Sequence, residues 1–114
     1  SATKVEVVTH LEPVVLKYNN VLPCGLIINE LMANSYKHAF KGRANGVITI
    51  MMKTVNDDIV ITYQDDGVGL KEPGESTGIG MDLIYSLTQQ LKGTIDIKNQ
   101  NGFYCKLNFK ADKS

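Results

Sequence analysis

The sequence has no tryptophan, only two cysteines and three prolines, and no excess charge of either sign. Twelve basic and twelve acidic residues cancel, which removes the electrostatic footprint expected of a nucleic-acid-binding protein or a polybasic membrane anchor. The longest apolar run, near Leu26, is broken by Asn29 and Glu30, so no segment spans a bilayer and none has the pattern of a secretory leader. We therefore expect a soluble domain without nucleic-acid partners or membrane contact.

The length and the apolar content fit one domain. A chain of 114 residues with 43% hydrophobic residues can form a single core of ordinary density. Cys24 and Cys105 have no neighbour at metal-ligand spacing, so we expect reduced thiols in the core, consistent with a reducing compartment. Ser1 and Ala2, without an initiating Met, look like a cloning remnant. We expect residues 1–114 to be a single domain excised from a longer protein.

Turn and helix signals divide the chain into six strands and two helices. The predicted strands are Lys4 to Thr9, Val14 to Tyr18, Val47 to Thr54, Asp58 to Gln64, Thr94 to Lys98 and Phe103 to Phe109. The predicted helices run from Pro23 to about Phe40 and from Gly78 to Leu91, the second one stopped at Gly93. Hairpins are expected within each strand pair, the first across Glu12-Pro13. The order ββαββαββ predicts an α+β two-layer sandwich, with helices on one face of a largely antiparallel sheet.

The most informative segment runs from Asn29 to Ala39. Drawn as a helix at about 100° per residue, it places five polar side chains within an arc of roughly 100°. These side chains are Glu30, Asn34, Lys37, His38 and Lys41. The remaining helix surface is apolar, and the polar stripe fits either a binding site or a solvated face. The helix alone does not decide between them.

Two glycine motifs follow this helix. Asp65-Asp66-Gly67-Val68-Gly69 comes after an apolar run, and Ser76-Thr77-Gly78-Ile79-Gly80-Met81 opens the second helical pattern. In order and spacing, the three segments resemble the N box and the two glycine boxes of the GHKL superfamily ATP-binding domain. The resemblance covers about Val5 to Phe109 and is greatest to bacterial sensor histidine kinases. The family's Bergerat-type fold, a two-layer sandwich with a mixed sheet, agrees with the predicted architecture.

Asp65 is the candidate for base recognition. An ionised carboxylate only accepts hydrogen bonds, and the exocyclic amine of adenine is a donor that guanine lacks at the corresponding position. Asp65 would therefore select adenine, and the resemblance implies the same role for the first Asp of this box. The alternative is a strand-end Asp that starts a turn with Gly67.

The glycines of both boxes are further candidates for nucleotide contacts. Gly67 and Gly69 lack a Cβ, which allows close approach to a flat base, although a plain turn would use them equally. A glycine-flanked helix start presents unpaired N–H groups to an anion, so phosphates are expected at the second box. The residues assigned there are Thr77, Gly78, Ile79 and Gly80. Leu70 to Thr77 would form a short ATP lid.

On the first helix, Asn34 is the expected Mg²⁺ ligand. Its amide oxygen suits a hard ion that takes few protein ligands and bridges phosphates, and the family Asn at this place has that role. Lys37 can meet the phosphates as a compact charge. His38 either contacts the nucleotide or packs.

Glu30 leaves two reactions open. Many histidine kinases have Asn at this place, and the hydrolysing family members have Glu as the base that activates water. In hydrolysis Glu30 would be the general base; in transfer to a neutral imidazole it would orient the ring and take up its other proton. Gly80 to Ile84, Gln90 to Gly93 and the closing hairpin resemble the end of a histidine kinase. They favour a kinase of the subgroup with Glu in the N box.

The resemblance implies a cytoplasmic catalytic domain that uses ATP and Mg²⁺ and transfers the γ-phosphoryl group to a His on a separate dimerisation domain. A response regulator would act downstream, and the parent protein would be soluble or attached to the inner membrane. His10 and His38 are the only histidines and neither has a dimerisation-helix context, so the domain alone is expected to be nearly inactive. Three alternatives remain: an anti-sigma-type serine kinase, a GHKL ATPase, and a nucleotide-binding module without catalysis. Asp66 departs from the Asn common in the family.

Overall fold

The computed structural model describes residues 3–69 and 79–112. The strands are β1 (Lys4–Leu11), β2 (Asn45–Val55), β3 (Asp58–Asp65), β4 (Thr94–Asn99) and β5 (Phe103–Lys110). The helices are α1 (Val21–Asn34), preceded by a 3₁₀ turn at Tyr18–Asn20, and α2 (Ile79–Gln90). A π-helical turn, Ser35–Ala39, follows α1 directly. Among the described residues, no helix combines the length and the apolar character needed to cross a bilayer.

The five strands form one mixed sheet in the order β1-β2-β3-β5-β4. β1 and β2 are parallel because α1 connects them as a crossover, and the other neighbouring pairs are antiparallel. Side chains of both helices pack with alternate positions of the sheet, Ile61 and Leu107 among them, into one core. The predicted two-layer α+β sandwich with a mixed, mostly antiparallel sheet is confirmed.

The predicted N-terminal hairpin is wrong. Residues 12–17 form no strand, and β1 continues to Leu11 beside β2 instead of turning back at Glu12-Pro13. The alternation that suggested a strand has another cause: Val14 and Leu16 pack against the core while Val15 is exposed. The element order is therefore βαββαββ.

The end of α2 lies within one residue of the predicted position, but Gly93 has a different role from the one expected. The left-handed residue is Lys92, with φ 54°, and the Gly93 N–H donates to the Thr88 carbonyl at 3.1 Å. A Cβ on Gly93 would lie 2.5 Å from the Asn108 carbonyl oxygen. Gly93 therefore allows close contact with β5 and does not supply the helix-ending conformation.

Both cysteines are buried free thiols, as predicted. Burial raises the pKa of the Cys24 thiol, raises the pKa of Cys105 to about 12, and raises the pKa of the Tyr63 hydroxyl. The unfolded chain ionises these groups at their ordinary, lower pKa values. Above about pH 9 the native state therefore holds more protons than the unfolded state, and alkali favours unfolding.

We expect the free energy of unfolding to fall above about pH 9, by at most about 1.4 kcal/mol per pH unit for each of these groups. Urea unfolding in reductant at about pH 8 and pH 10.5 measures the slope. Cys105→Ala should be less stable at both pH values but should show a shallower slope, because one of the titrating groups is gone. An unchanged slope in Cys105→Ala would contradict this assignment.

Candidate functional site

A small cavity lies where the C-terminal part of the first helix meets the end of β3 and the start of α2. Its lining residues are Leu31, Asn34, Ser35, His38, Ala39, Asp65, Gly69, Met81 and Phe103. Most of these present apolar atoms, and a few polar groups converge among them. Such a lining is typical of a small-molecule site.

The first helix continues into the π-helical turn next to this cavity. The Phe40 N–H donates to the Ser35 carbonyl at 3.0 Å, which is the i→i−5 bond of a π-helix. In a π-helical turn, each residue rotates about the helix axis by fewer degrees than in an α-helix. Lys37 is exposed and does not line the cavity, while Ser35 is buried. Of the stripe, Asn34 and His38 line the cavity.

Asp65 ends β3, is only 2% exposed and accepts three hydrogen bonds through its carboxylate. Its Oδ1 accepts from the Gly67 N–H at 3.0 Å and the Phe103 N–H at 3.1 Å. Its Oδ2 accepts from the Ser35 hydroxyl at 2.7 Å. The turn with Gly67 that sequence reasoning treated as an alternative is present, and the same carboxylate also lines the cavity. These donors hold the carboxylate in one orientation.

Asp66, the departure from the family pattern, does not line the cavity. Its Oδ1 accepts from the Val47 N–H at 2.9 Å, and its Oδ2 lies 3.6 Å from an Arg43 nitrogen. Arg43 also donates to the Asp66 carbonyl at 2.5 Å. The two neighbouring aspartates thus have separate environments, one inside the cavity wall and one on the surface.

The first glycine box packs against the π-helical turn. A Cβ on Gly67 would lie 2.5 Å from the Ala39 carbonyl oxygen, and that carbonyl accepts from the Val68 N–H at 3.2 Å. The missing Cβ of Gly67 therefore allows close contact with the Ala39 backbone, whereas close approach to a flat base was expected. Gly69 has φ +72°, a conformation that few L residues adopt, and it lines the cavity.

The other predicted site residues differ in where they lie relative to the cavity. Glu30 is half-buried on α1 and is absent from the cavity lining. Ile79 and Gly80 form the first residues of α2. Thr77, Gly78 and the predicted lid from Leu70 to Thr77 lie outside the described residues.

The donor set fits a metal ion only if a ligand supplies most of the coordination. Within residues 3–69 and 79–112, no three His, Cys, Asp or Glu side chains are grouped to hold a metal. Asn34 is half-buried at the cavity, and its Nδ2 donates to the Met81 sulfur at 3.9 Å, which leaves the amide oxygen as an acceptor. One neutral oxygen together with phosphate oxygens suits Mg²⁺.

The residues that sequence reasoning missed include those that position the Asp65 carboxylate, Ser35, Phe103 and Tyr63. Ser35 lies outside the stripe of an ideal α-helix, and Phe103 is 38 residues from Asp65 in sequence. No local signal pointed to either. Tyr63, which contacts Ser35, could have been predicted. Residues two apart on a strand share a face, and Tyr63 precedes Asp65 by two.

Residues 19–113 match the family model described as "Histidine kinase-, DNA gyrase B-, and HSP90-like ATPase". Over 78 residues, the chain is 30% identical to blue-light-activated histidine kinase 2 of Erythrobacter litoralis, which covers 64% of this chain and 22% of that protein. Over 89 residues, it is 34% identical to the sensor histidine kinase ComP of Bacillus subtilis, covering 75% of this chain and 10% of ComP. This chain therefore spans a minor part of both kinases.

A third relative is the serine-protein kinase RsbW of Listeria innocua, 28% identical over 92 residues, which cover 66% of this chain and 59% of RsbW. A solved structure of the histidine kinase domain from Erythrobacter litoralis EL346 blue-light activated histidine kinase matches with a TM-score of 0.82. The match is 23% identical and covers 93% of this chain and 51% of that chain. At this identity the likeness concerns the fold.

Proposed function

The chain belongs to the histidine kinase-, DNA gyrase B- and HSP90-like ATPase family, and from this premise we propose that it is the ATP-binding catalytic domain of a sensor histidine kinase. The observation that carries the proposal is the buried Asp65 carboxylate at an otherwise largely apolar cavity. Apolar walls at Leu31, Met81 and Phe103 suit a flat purine, and one fixed acceptor suits its exocyclic amine.

The triphosphate would extend from the base toward Asn34 and the start of α2. Asn34 would hold Mg²⁺, which supplies charge neutralisation to the phosphates when it is bound. The N-terminus of α2 would present N–H groups and the positive end of the helix dipole to the same phosphates. Lys37 is exposed and has a long flexible side chain, so it would reach the phosphates from solvent.

Glu30 would interact with the histidine that accepts the phosphoryl group. It lies one turn before Asn34 on α1, and residues four apart share a helix face. In the proposed transfer, an imidazole lone pair attacks the γ-phosphorus, the bond to the bridging oxygen breaks, and ADP leaves with that electron pair. Glu30 orients the imidazole and accepts its other proton.

The acceptor histidine is proposed to lie on a dimerisation domain of the parent protein, in the cytoplasm, with a response regulator as the next phosphoryl acceptor. Since phosphoryl transfer depends on positioning both partners, residues 1–114 alone should bind Mg·ATP and turn it over slowly. Rapid hydrolysis by this domain alone would instead favour an ATPase.

A serine kinase is the second candidate, favoured by the likeness to RsbW over two thirds of the chain. Incubation with γ-labelled ATP and magnesium, with histidine-containing and serine-containing acceptor domains in parallel, separates the two. Acid-labile label on the histidine acceptor supports the histidine kinase. Acid-stable label on serine would overturn it in favour of the second candidate, and ATP binding without any transfer would indicate a binding module.

Asn34→Ala should abolish most of the dependence of ATP affinity on magnesium. We expect wild type to lose about tenfold in ATP affinity when EDTA replaces Mg²⁺, and Asn34→Ala to lose about twofold at most, because its metal ligand is already missing. Isothermal titration in both buffers gives the two ratios. Asn29→Ala is the control, since Asn29 is an exposed amide on the same helix. Equal magnesium ratios in wild type and Asn34→Ala would exclude Asn34 as a ligand.

A further inference from the structure

Behind Asp65 lie two buried hydroxyl groups that none of the roles above uses. Ser35 and Tyr63 are each 1% exposed. The Ser35 hydroxyl lies 2.7 Å from Asp65 Oδ2 and 2.6 Å from the Tyr63 hydroxyl oxygen, which in turn lies 3.1 Å from the Leu31 carbonyl oxygen. These groups form an unbroken chain from the interior of α1 to the cavity wall.

The hydrogen count fixes the direction of this chain. An ionised Asp65 and the Leu31 carbonyl only accept, so two hydroxyl hydrogens serve three contacts. The Ser35 hydrogen is the only one that can reach Asp65 Oδ2. Two oxygens at 2.6 Å without a hydrogen between them repel each other, so the Tyr63 hydrogen must lie between the two hydroxyl oxygens. The Leu31 carbonyl is then a second, weaker acceptor for the same hydrogen. Ser35 therefore has no hydrogen left for a ligand.

Tyr63 is suited to a permanent donor role. Burial raises the pKa of its hydroxyl, so the group keeps its proton at any physiological pH. Its ring is also held by an edge-on contact with Phe103, with the ring centroids 6.3 Å apart. The Phe103 N–H donates to Asp65 Oδ1, and Ser35, next to Tyr63, donates to Asp65 Oδ2. The contact between Tyr63 and Phe103 therefore links the groups that position the two carboxylate oxygens.

We propose that Ser35, supported by Tyr63, is a positioning residue that sets Asp65 to accept a hydrogen bond from the 6-amino group of a purine. The inference rests on the proposed function and deepens it, since it assigns the choice between 6-amino and 6-oxo purines to a hydroxyl pair whose hydrogens are both used within the protein. With Oδ1 occupied by two N–H donors, Oδ2 offers the remaining acceptor site. Ser35 fixes where that site points.

The test compares ATP with inosine triphosphate, which carries an oxygen in place of the 6-amino group. In wild type we expect ATP to bind at least about tenfold more tightly. Ser35→Ala should weaken ATP binding by about tenfold and change inosine triphosphate binding by about twofold at most, so that the ratio of the two dissociation constants approaches one. Tyr63→Phe should lower the same ratio by about threefold, because Ser35 keeps its hydrogen but loses its support.

Thr88→Val is the matched control. Thr88 is a buried hydroxyl, 4% exposed, which donates to the Ile84 carbonyl at 2.8 Å within α2 and does not line the cavity. Its loss should leave the ratio of the two dissociation constants unchanged. A purely structural role for Ser35 would lower the affinity for both nucleotides equally, as any general loosening of the fold would.

The outcomes separate the two levels of the proposal. If wild type binds neither nucleotide, the proposed function fails. If wild type prefers ATP and Ser35→Ala keeps the same ratio, the positioning role alone is overturned. Circular dichroism and thermal melting establish that each variant is folded, and Tyr63→Phe decides the question if Ser35→Ala does not fold.

Discussion

Asp65→Asn will lower the affinity for ATP by about tenfold to a hundredfold or more. A hydrogen bond to a charged acceptor contributes about 1.5–3 kcal/mol, and the asparagine amide would lose that acceptor. The substitution would also direct an NH₂ group toward donors, since the carboxylate oxygens accept from Ser35, Gly67 and Phe103.

Isothermal titration with Mg·ATP measures this loss. Asp66→Asn is the matched control, because it makes the same chemical change at the adjacent residue, whose side chain contacts Val47 and Arg43 instead of the cavity. We expect the control to stay within about twofold of wild type. If Asp65→Asn binds ATP as tightly as Asp66→Asn does, Asp65 is not the base-recognition residue.

Gly102→Ala will destabilise the protein by about 3 kcal/mol or more and will weaken ATP binding with it. Gly102 has φ +129°, which an L residue rarely adopts, and a Cβ there would overlap the Asp65 carbonyl oxygen. The turn between β4 and β5 would have to move away from β3. That movement would withdraw the Phe103 N–H from Asp65 Oδ1.

Urea unfolding gives the stability change, and titration with Mg·ATP of the folded fraction gives the affinity. The control is Gly25→Ala on α1, where a Cβ would meet nothing within 4 Å. Alanine is the better helix former, so this variant should gain up to about 1 kcal/mol and bind ATP normally. Similar stability for the two variants would show that the close approach of Gly102 to Asp65 is not required.

The parts of the fold that could be predicted are those that depend on neighbours in sequence. The β2–β3 and β4–β5 hairpins follow from alternating strands joined by short turns, and Asn56 and Asn101 indeed adopt positive φ there. The parallel pairing of β1 with β2 could not be predicted in this way, because α1 separates the two strands. Without that partner, the alternation around Val14 and Leu16 looked like the second strand of a hairpin.

In the candidate site, too, the residues that could be predicted are those with a local sequence signal. Asp65 was predictable from its motif and its place at a strand end. Ser35 was not, because it lies outside the polar stripe of the first helix and its hydrogen bond to Asp65 joins residues 30 apart in sequence. Phe103 reaches the site only through the β4–β5 turn, a contact that depends on the completed sheet.

We expect this cavity to hold an adenine nucleotide at Asp65. Calorimetric titration of the wild-type domain with ATP and with GTP, both in excess magnesium, tests it most directly. We expect one ATP site per chain and GTP binding weaker by about tenfold or more, because GTP presents an oxygen where Asp65 needs a donor. Equal affinity for the two nucleotides, or no heat of binding with ATP, would contradict it.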